Sequence, residues 1–529
     1  MLGIHRNAWL LVLLSAALQI VIFPLPDFYF LCWIAVAPLL IAILHARPPE
    51  TLQLKEGIKL LPAKWWQAFL LAYVCGILWY AGTCYWILPT MRKFGGLSLP
   101  TALLALFLFC LYLGIFHGAF GLLLSLISRG DPVHRRALLL APAAWVAIEL
   151  LRARISGFPW DLLGITQVDN IPLARIARAT GVYGLSFEIM VVNTAMAAIF
   201  LVRRQQRKSL ALVAVIAAVV LQVGRLVNPD PVPTDHTAQL VQQNIPILEG
   251  ADWTKDYFET TLRELATISL APMQNGQHPN LIVWPESPAP FYTTDPTFRD
   301  TITNLARVSQ TWVLTGSLGV DNATHMQASG REVHNSGALV SPDGSWVARY
   351  DKVHLVPFGE YVPFRQVFSF ASGLTEQVGD FARGEFREPL QAGDEKLGVF
   401  ICYESVFPND IRQFAKNGAQ VFVNISNDGW YGDSGAYAQH LKQARMRAVE
   451  NARWLLRDTN TGVTSAIDPY GRIVTQIPRK LRSSLLASYA LSSEITFYTA
   501  YGDWFGYLCA IICVVALFLR LPFLSRSKP

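Results

Sequence analysis

Apolar residues dominate eight stretches of the chain: 8–24, 28–46, 66–87, 100–127, 137–152, 183–202, 208–227 and, after a long gap, 505–523. A helix needs roughly 17–25 such residues to cross a hydrocarbon core, so the pattern predicts eight transmembrane helices. The first is expected to be retained, because it lacks a small-residue cleavage site and Pro24 to Asp27 leads straight into the next span. The fifth is the least regular, with Pro142 inside it and Glu149 near its end.

The gap follows another rhythm. Short apolar runs at 238–244, 280–286, 311–319, 334–342, 346–353, 396–404, 419–426, 464–471 and 472–477 predict strands. Helical periodicity marks DYFETTLRELATISL, PTFRDTITNLARVSQ, VFPNDIRQFAKNG and, longest, AYAQHLKQARMRAVENARWLLRD. Strands alternating with helices imply an α/β domain with right-handed crossovers, and the SPDGSW turn between two runs implies a hairpin and hence a mixed sheet. NPDPVPTD (228–235) reads as a linker. The expected organisation is a membrane domain over 1–227 with seven helices, an extramembrane domain over 228–504, and a last helix with its tail over 505–529.

Composition sharpens this picture. At 52% hydrophobic and 16% charged, the chain is too apolar for an ordinary soluble protein. With the N-terminus cytoplasmic, fifteen Lys and Arg residues fall in the short loops and tails on that side. These include Arg47, Lys55, Lys59, Lys64, the cluster from Arg203 to Lys208, and Arg520; only six fall opposite. The net charge of +6 is therefore a topology signal, and no basic stripe with interleaved aromatics suggests nucleic acid. Seven spans then place 228–504 on the non-cytoplasmic face. Six of seven cysteines (Cys32, Cys75, Cys84, Cys110, Cys509, Cys513) lie in the expected spans, where they read as small buried apolar residues. Cys402 stands alone outside them, with no local disulfide partner.

Three segments of the polar stretch carry candidate chemistry: LIVWPES with Glu286, RYDKVHLVPFGE with Lys352, and LGVFICYES with Cys402. Cys402 ends an apolar β run, and a helix is expected to begin near Pro408. That corner is where α/β proteins place reactive groups, with backbone N–H groups beyond it able to bind an oxyanion. Glu286 is delivered to a strand end by LIVWP and is suited to general base catalysis. The Lys352 ammonium can stabilise a tetrahedral oxyanion. Taken singly, each has a plain structural reading as well: a core cysteine, a loop acid, a strand lysine. Six histidines occur in the domain (His236, His278, His325, His334, His354, His440), without metal-ligand spacing and without a papain-type motif around Cys402. No metal and no cofactor are expected. Asn427 and Asp428 in SNDGW are divided between lining a pocket and ordinary turn chemistry. Arg445, Arg447 and Glu450 read as structural ion pairs.

Taken in order, the three segments resemble the nitrilase superfamily, whose members carry a Glu–Lys–Cys triad on an αββα sandwich. The likeness covers roughly 237–490. Further motifs (QQN at 242–244, YDKVHLVPFGEYVP, NISNDGWYGDSGAYAQHLKQARMRAVENAR, RDTNTG, and outside the domain GFPWDLLGITQ at 157–167 and GVYGLSFE at 181–188) resemble one branch, the apolipoprotein N-acyltransferases of bacterial lipoprotein maturation. The fold class implied is a nitrilase-like α/β sandwich inserted in a polytopic bundle of eight transmembrane helices.

The resemblance implies roles. Glu286 is the base, Lys352 the cation that stabilises the intermediate, and Cys402 the nucleophile. Glu360 is a second acid supporting the lysine, Tyr403 and Glu404 flank the nucleophile, and Trp253 is the counterpart of a functional tryptophan, at longer spacing than usual. Gln243, where the family usually has Gly, and Asp458, where a small residue is usual, are departures. The activity implied is acyl transfer from a phosphatidylethanolamine-like phospholipid through a Cys402 thioester to the α-amino group of a diacylglyceryl apolipoprotein. The enzyme would be a monomer of the bacterial inner membrane with a periplasmic catalytic domain. The aromatic segment 358–374 is expected to dip Phe364, Phe368 and Phe370 into the lipid interface. A membrane-anchored nitrilase-like amidase, with water as acceptor, is the alternative, and a transporter or scaffold without catalysis is a further one.

Overall fold

Alternation along the strands sorts the apolar side chains of residues 229–500 into two layers. Leu240, Val283, Leu314 and Leu339 face one core, while their chain neighbours Val241, Ile282, Val313 and Val340 face another. That is the period-2 geometry of a sheet buried on both sides. The computed structural model describes residues 3–48, 60–128, 135–201, 204–247, 252–322, 331–361 and 381–519. Phe364, Phe368 and Phe370 lie outside the described residues.

Twelve strands are described: β1 (His236–Gln242), β2 (Leu281–Trp284), β3 (Trp312–Asn322), β4 (Arg331–Val340), β5 (Trp346–Asp351), β6 (Leu390–Ala392), β7 (Glu395–Ile401), β8 (Val421–Ser426), β9 (Leu455–Thr459), β10 (Thr464–Ile467), β11 (Ile473–Ile477) and β12 (Ser483–Tyr489). They form two six-stranded sheets, ordered β12-β1-β2-β3-β4-β5 and β11-β10-β9-β8-β7-β6. The pairs β1–β2, β2–β3, β7–β8 and β8–β9 are parallel, and the remainder are antiparallel, so both sheets are mixed. The hairpin at SPDGSW joins β4 to β5 as expected.

Each parallel step needs a crossover, and helices Lys255–Gln274, Pro296–Ser309, Pro408–Lys416 and Ala436–Asn451 supply them. Their starts are written locally. The Thr254 side chain accepts from Tyr257 N at 3.3 Å, and Asp295 caps Phe298 N at 2.8 Å just ahead of Pro296. Pro408 opens the helix after Cys402.

The sequence pattern carried the last of these helices too far. It stops at Ala452, whose φ of 51° is left-handed, and Leu455–Thr459 becomes β9 against β8. WLLRD is apolar enough for either period, and pairing decides. β6, with three residues, and β12, rich in serine, carry too little pattern to be read.

Two compact units emerge: Met1–Leu88, Leu99–Asn228 and Tyr501–Pro529 form one, Pro89–Ser98 and Pro229–Ala500 the other. Thus a ten-residue segment separated from the sandwich in sequence belongs with it. Its Thr90 Oγ1 donates to the Trp430 carbonyl at 3.0 Å, and its Phe94 meets the Trp430 ring edge-to-face at 4.9 Å.

The first unit is helical. Helices Leu99–Ile127 and Val182–Leu201 and the stretch Arg207–Leu226 are long and apolar enough to cross a membrane. Trp65–Thr83 with Ile87–Lys93, bent by 52°, makes a fourth if the pair counts as one span. Arg6–Val21, Tyr29–Leu44 and Trp504–Phe518 are shorter apolar helices. Helix Arg135–Ile155 contains Pro142 and buries Glu149 and Arg152. The helices pack closely where glycines allow it: a Cβ on Gly121 would sit 2.3 Å from the Ala68 carbonyl oxygen. Asn193, fully buried, accepts from the Val36 and Ala37 amides and donates to the Cys32 carbonyl.

Candidate active site

Strand ends deliver the reactive groups. β2 leads into Glu286, β5 into Lys352, β7 into Cys402 and β8 into Asn427. Glu286, Lys352 and Cys402 are 5%, 1% and 5% exposed. The Lys352 ammonium donates to Glu360 Oε1 at 2.8 Å and to Glu286 Oε1 at 3.3 Å. Asn335, on β4, donates through one Nδ2 to the same two oxygens, at 2.7 Å to Glu286 and 2.8 Å to Glu360. The other oxygens take backbone amides: Asn427 N donates to Glu286 Oε2 at 2.7 Å and Val356 N to Glu360 Oε2 at 2.8 Å. Two buried carboxylates thus share one cation and one amide, the pairing that buried charge requires.

Cys402 opens a 3-10 turn, Cys402–Val406, immediately after β7. Its thiol feels both charges. Burial first, and then Glu286, push it above the ordinary thiol range, while Lys352 pulls the other way. At rest it is a thiol. Burial works against the Lys352 ammonium, but Glu286 and Glu360 outweigh it and hold the lysine above its usual value, permanently charged.

Glu404 ties the nucleophile's turn to the lysine's loop. Its Oε1 accepts from Tyr350 OH (2.8 Å), Val353 N (2.7 Å) and His354 N (3.1 Å), and its Oε2 from Ile401 N (2.8 Å). Tyr403 is buried with its ring edge-on to Phe407.

Asn427 joins the site through its backbone, while its side chain accepts from Gly429 N and Asn460 Nδ2. Asp428 is buried, accepting from Ser426 Oγ and Arg457 Nη2. Trp253 packs on Tyr257 and Phe258, in the layer between the first sheet and its helices. Arg447 pairs with Glu450 at 2.9 Å, and Arg445 donates to the Gly471 carbonyl at 2.6 Å. Both departures from the family pattern are fully buried: Gln243 and Asp458, the latter accepting from Val241 N at 3.2 Å.

Three residues at the site escape sequence reasoning, Asn335, Ser426 and Arg457, and a fourth, His440, is read there only as one of six histidines. Their one signal is a polar side chain inside a buried element, which many structural residues share. One further group among the described residues, Asp321, His334 and Asp351, brings three possible metal ligands together, but Arg349 already pairs with both carboxylates.

Comparison with known proteins extends this geometry to the whole chain. Residues 15–195 match the family model described as the apolipoprotein N-acyltransferase N-terminal domain, and residues 237–494 match the carbon-nitrogen hydrolase model. An apolipoprotein N-acyltransferase from Geobacter metallireducens is 34% identical over 535 positions, spanning 99% of this chain and 97% of the relative. The chain belongs to the apolipoprotein N-acyltransferase family. Relatives of the same name from Methylococcus capsulatus and Shewanella oneidensis are 34% and 32% identical. They span 83% and 84% of this chain and 84% of each relative. A crystal structure of a carbon-nitrogen hydrolase from Helicobacter pylori G27 is similar at 16% identity, with TM-score 0.35, over 51% of this chain and 94% of that one. As an apolipoprotein N-acyltransferase family member, the protein is an acyltransferase with a nitrilase-like domain joined to a helical region containing apolar helices.

Proposed function

We propose that the protein moves an acyl chain from a membrane phospholipid to the N-terminus of a diacylglyceryl apolipoprotein by way of a thioester on Cys402. The observation that carries this is a buried thiol at a strand-to-helix corner, coupled electrostatically to Glu286 and Lys352, in a chain whose membrane half matches the same family. In the first half-reaction the thiol loses its proton to Glu286 and the sulfur attacks the sn-1 ester carbon. The oxyanion is stabilised by Lys352 and by backbone N–H groups after Cys402. The C–O bond then breaks, Glu286 returns the proton to the departing oxygen, and a lysophospholipid leaves. In the second half the lipoprotein α-amino group attacks the thioester, its proton passes to Glu286 and on to the sulfur as the C–S bond breaks, an amide forms and the Cys402 thiol is restored.

Glu360 and Asn335 keep Lys352 and Glu286 in register, and Glu404 holds the loop that carries the lysine. Eight spans, 1–227 plus 505–529, would hold the 228–504 domain of a monomer at the periplasmic face of the bacterial inner membrane; the loop arginine and lysine asymmetry supports this orientation. The donor is a phosphatidylethanolamine-like lipid.

Intact-protein mass spectrometry after exposure to phospholipid alone should find one added acyl chain, absent from Cys402→Ser. Adding a diacylglyceryl peptide should then discharge it as acyl-peptide. Free fatty acid with no acyl-peptide, or transfer by Cys402→Ser, would overturn the proposal.

A further inference from the structure

Cys402 holds a backbone conformation that residues with a Cβ avoid: its φ is 50°. Something must keep it there, and the contacts converge on one buried group. His440, on helix Ala436–Asn451 and wholly enclosed, places Nε2 3.0 Å from the Cys402 carbonyl oxygen and 2.8 Å from Ser405 Oγ. It therefore staples both ends of the turn that carries the thiol. A carbonyl only accepts, so Nε2 carries the ring proton. The other nitrogen, Nδ1, lies 3.0 Å from Arg457 Nη2 and 3.1 Å from Asp428 Oδ1. Burial and the Arg457 charge both hold the imidazole below its ordinary value, against the pull of Asp428, which keeps it neutral with Nδ1 free to accept from Arg457.

Asp428 is the hub. It accepts at 2.9 Å from Arg457 Nη2, and at 2.9 Å from the Oγ of Ser426, the last residue of the strand paired with the one that leads to Cys402. Arg457 also bonds Asn424, whose Nδ2 donates to the Phe400 carbonyl on the strand leading to Cys402. The Cys402 carbonyl and the strand leading to it are thus both referred to the Asp428–Arg457 pair.

We propose that His440 is the positioning residue of the nucleophile, with Asp428 and Arg457 fixing its ring. It does not act as the thiol's base. Its Nε2 proton anchors the Cys402 carbonyl, holds the backbone left-handed, and so aims the sulfur at Glu286 and the ester carbon. The inference rests on Cys402 being the nucleophile.

The test compares full-length His440→Gln and His440→Asn in single-turnover acylation by phospholipid. Glutamine sets an amide N–H near the Nε2 position, whereas asparagine stops at the Nδ1 position. We expect His440→Asn, and His440→Ala where it folds, to slow acylation between about tenfold and a hundredfold. The phospholipid KM should stay unchanged, and His440→Gln should stay within about fivefold of the parent. Equal rates for the Gln and Asn variants, or a parent-like rate for His440→Ala, would overturn the proposal, since a merely structural histidine gives no such split. Cys402→Ser separates the two levels: activity there removes the nucleophile itself, whereas inactivity there with equal Gln and Asn rates removes only the role of His440.

Discussion

Asn335→Ala probes the carboxylate pair directly. One Nδ2 group serves Glu286 Oε1 at 2.7 Å and Glu360 Oε1 at 2.8 Å. A hydrogen bond to a charged group is worth about 1.5–3 kcal/mol net, so removing both threatens about 3–6 kcal/mol. Part is regained, because each carboxylate keeps a backbone amide, from Asn427 and Val356, and both keep Lys352. Taking about 3 kcal/mol as the unrecovered part, and 1.36 kcal/mol per decade of rate, acylation should slow by roughly a hundredfold. Asn335 touches neither donor nor acceptor in this scheme, so the phospholipid KM should hold. Single-turnover acylation across a range of phospholipid concentrations measures both quantities. A rate within threefold of the parent (less than about 0.7 kcal/mol) would refute the idea that this amide keeps base and cation in register.

Three further outcomes are expected. Asp458 is buried and held well above the usual carboxylate range by burial, so its folded form keeps a proton that the unfolded chain releases. Its contribution is complete below the unfolded value and declines as pH rises toward the folded one, by about 1.4 kcal/mol per unit while the proton is retained. Asp458→Asn should therefore raise the Tm in detergent more at pH 8 than at pH 4.5, and equal differences at the two would contradict this. Glu404→Gln replaces one of two acceptor oxygens with a donor facing N–H or O–H groups, leaving at least one buried donor unmet at about 1–3 kcal/mol. Both Tm and acylation rate should drop, and parent-like values for both would exclude the linking role. Gly121→Leu must displace the Ala68 backbone, an overpacking cost of about 1–3 kcal/mol or more. Size-exclusion chromatography should show less monodisperse protein, and an unchanged profile would argue against close helix approach there.

The triad segments were readable because each reactive side chain follows an apolar strand at a chain corner, where local pattern and chemistry coincide. Asn335 was not, because HNSG inside a strand looks like any polar interruption, and its partners are 49 and 25 residues away. His440 was dismissed among six histidines. Its bond to Cys402 spans 38 residues and exists only because the crossover helix from β8 to β9 packs against the turn that ends β7. Asp428 and Asn427 look alike in SNDGW, yet the turn sends one side chain behind the nucleophile and offers only the backbone of the other to Glu286. β12 went unread because SSLLASY gains its strand character by pairing with β1, not from alternation.

That Pro89–Ser98 packs against Trp430 makes the sandwich discontinuous along the gene. A soluble piece excised at 229–500 would leave the Trp430 ring and carbonyl without Phe94 and Thr90, three residues from the amide that seats Glu286. Crystallographers or engineers seeking a free-standing catalytic half would have to graft that short strap back on. A split version of this enzyme would reassemble best with its break placed elsewhere.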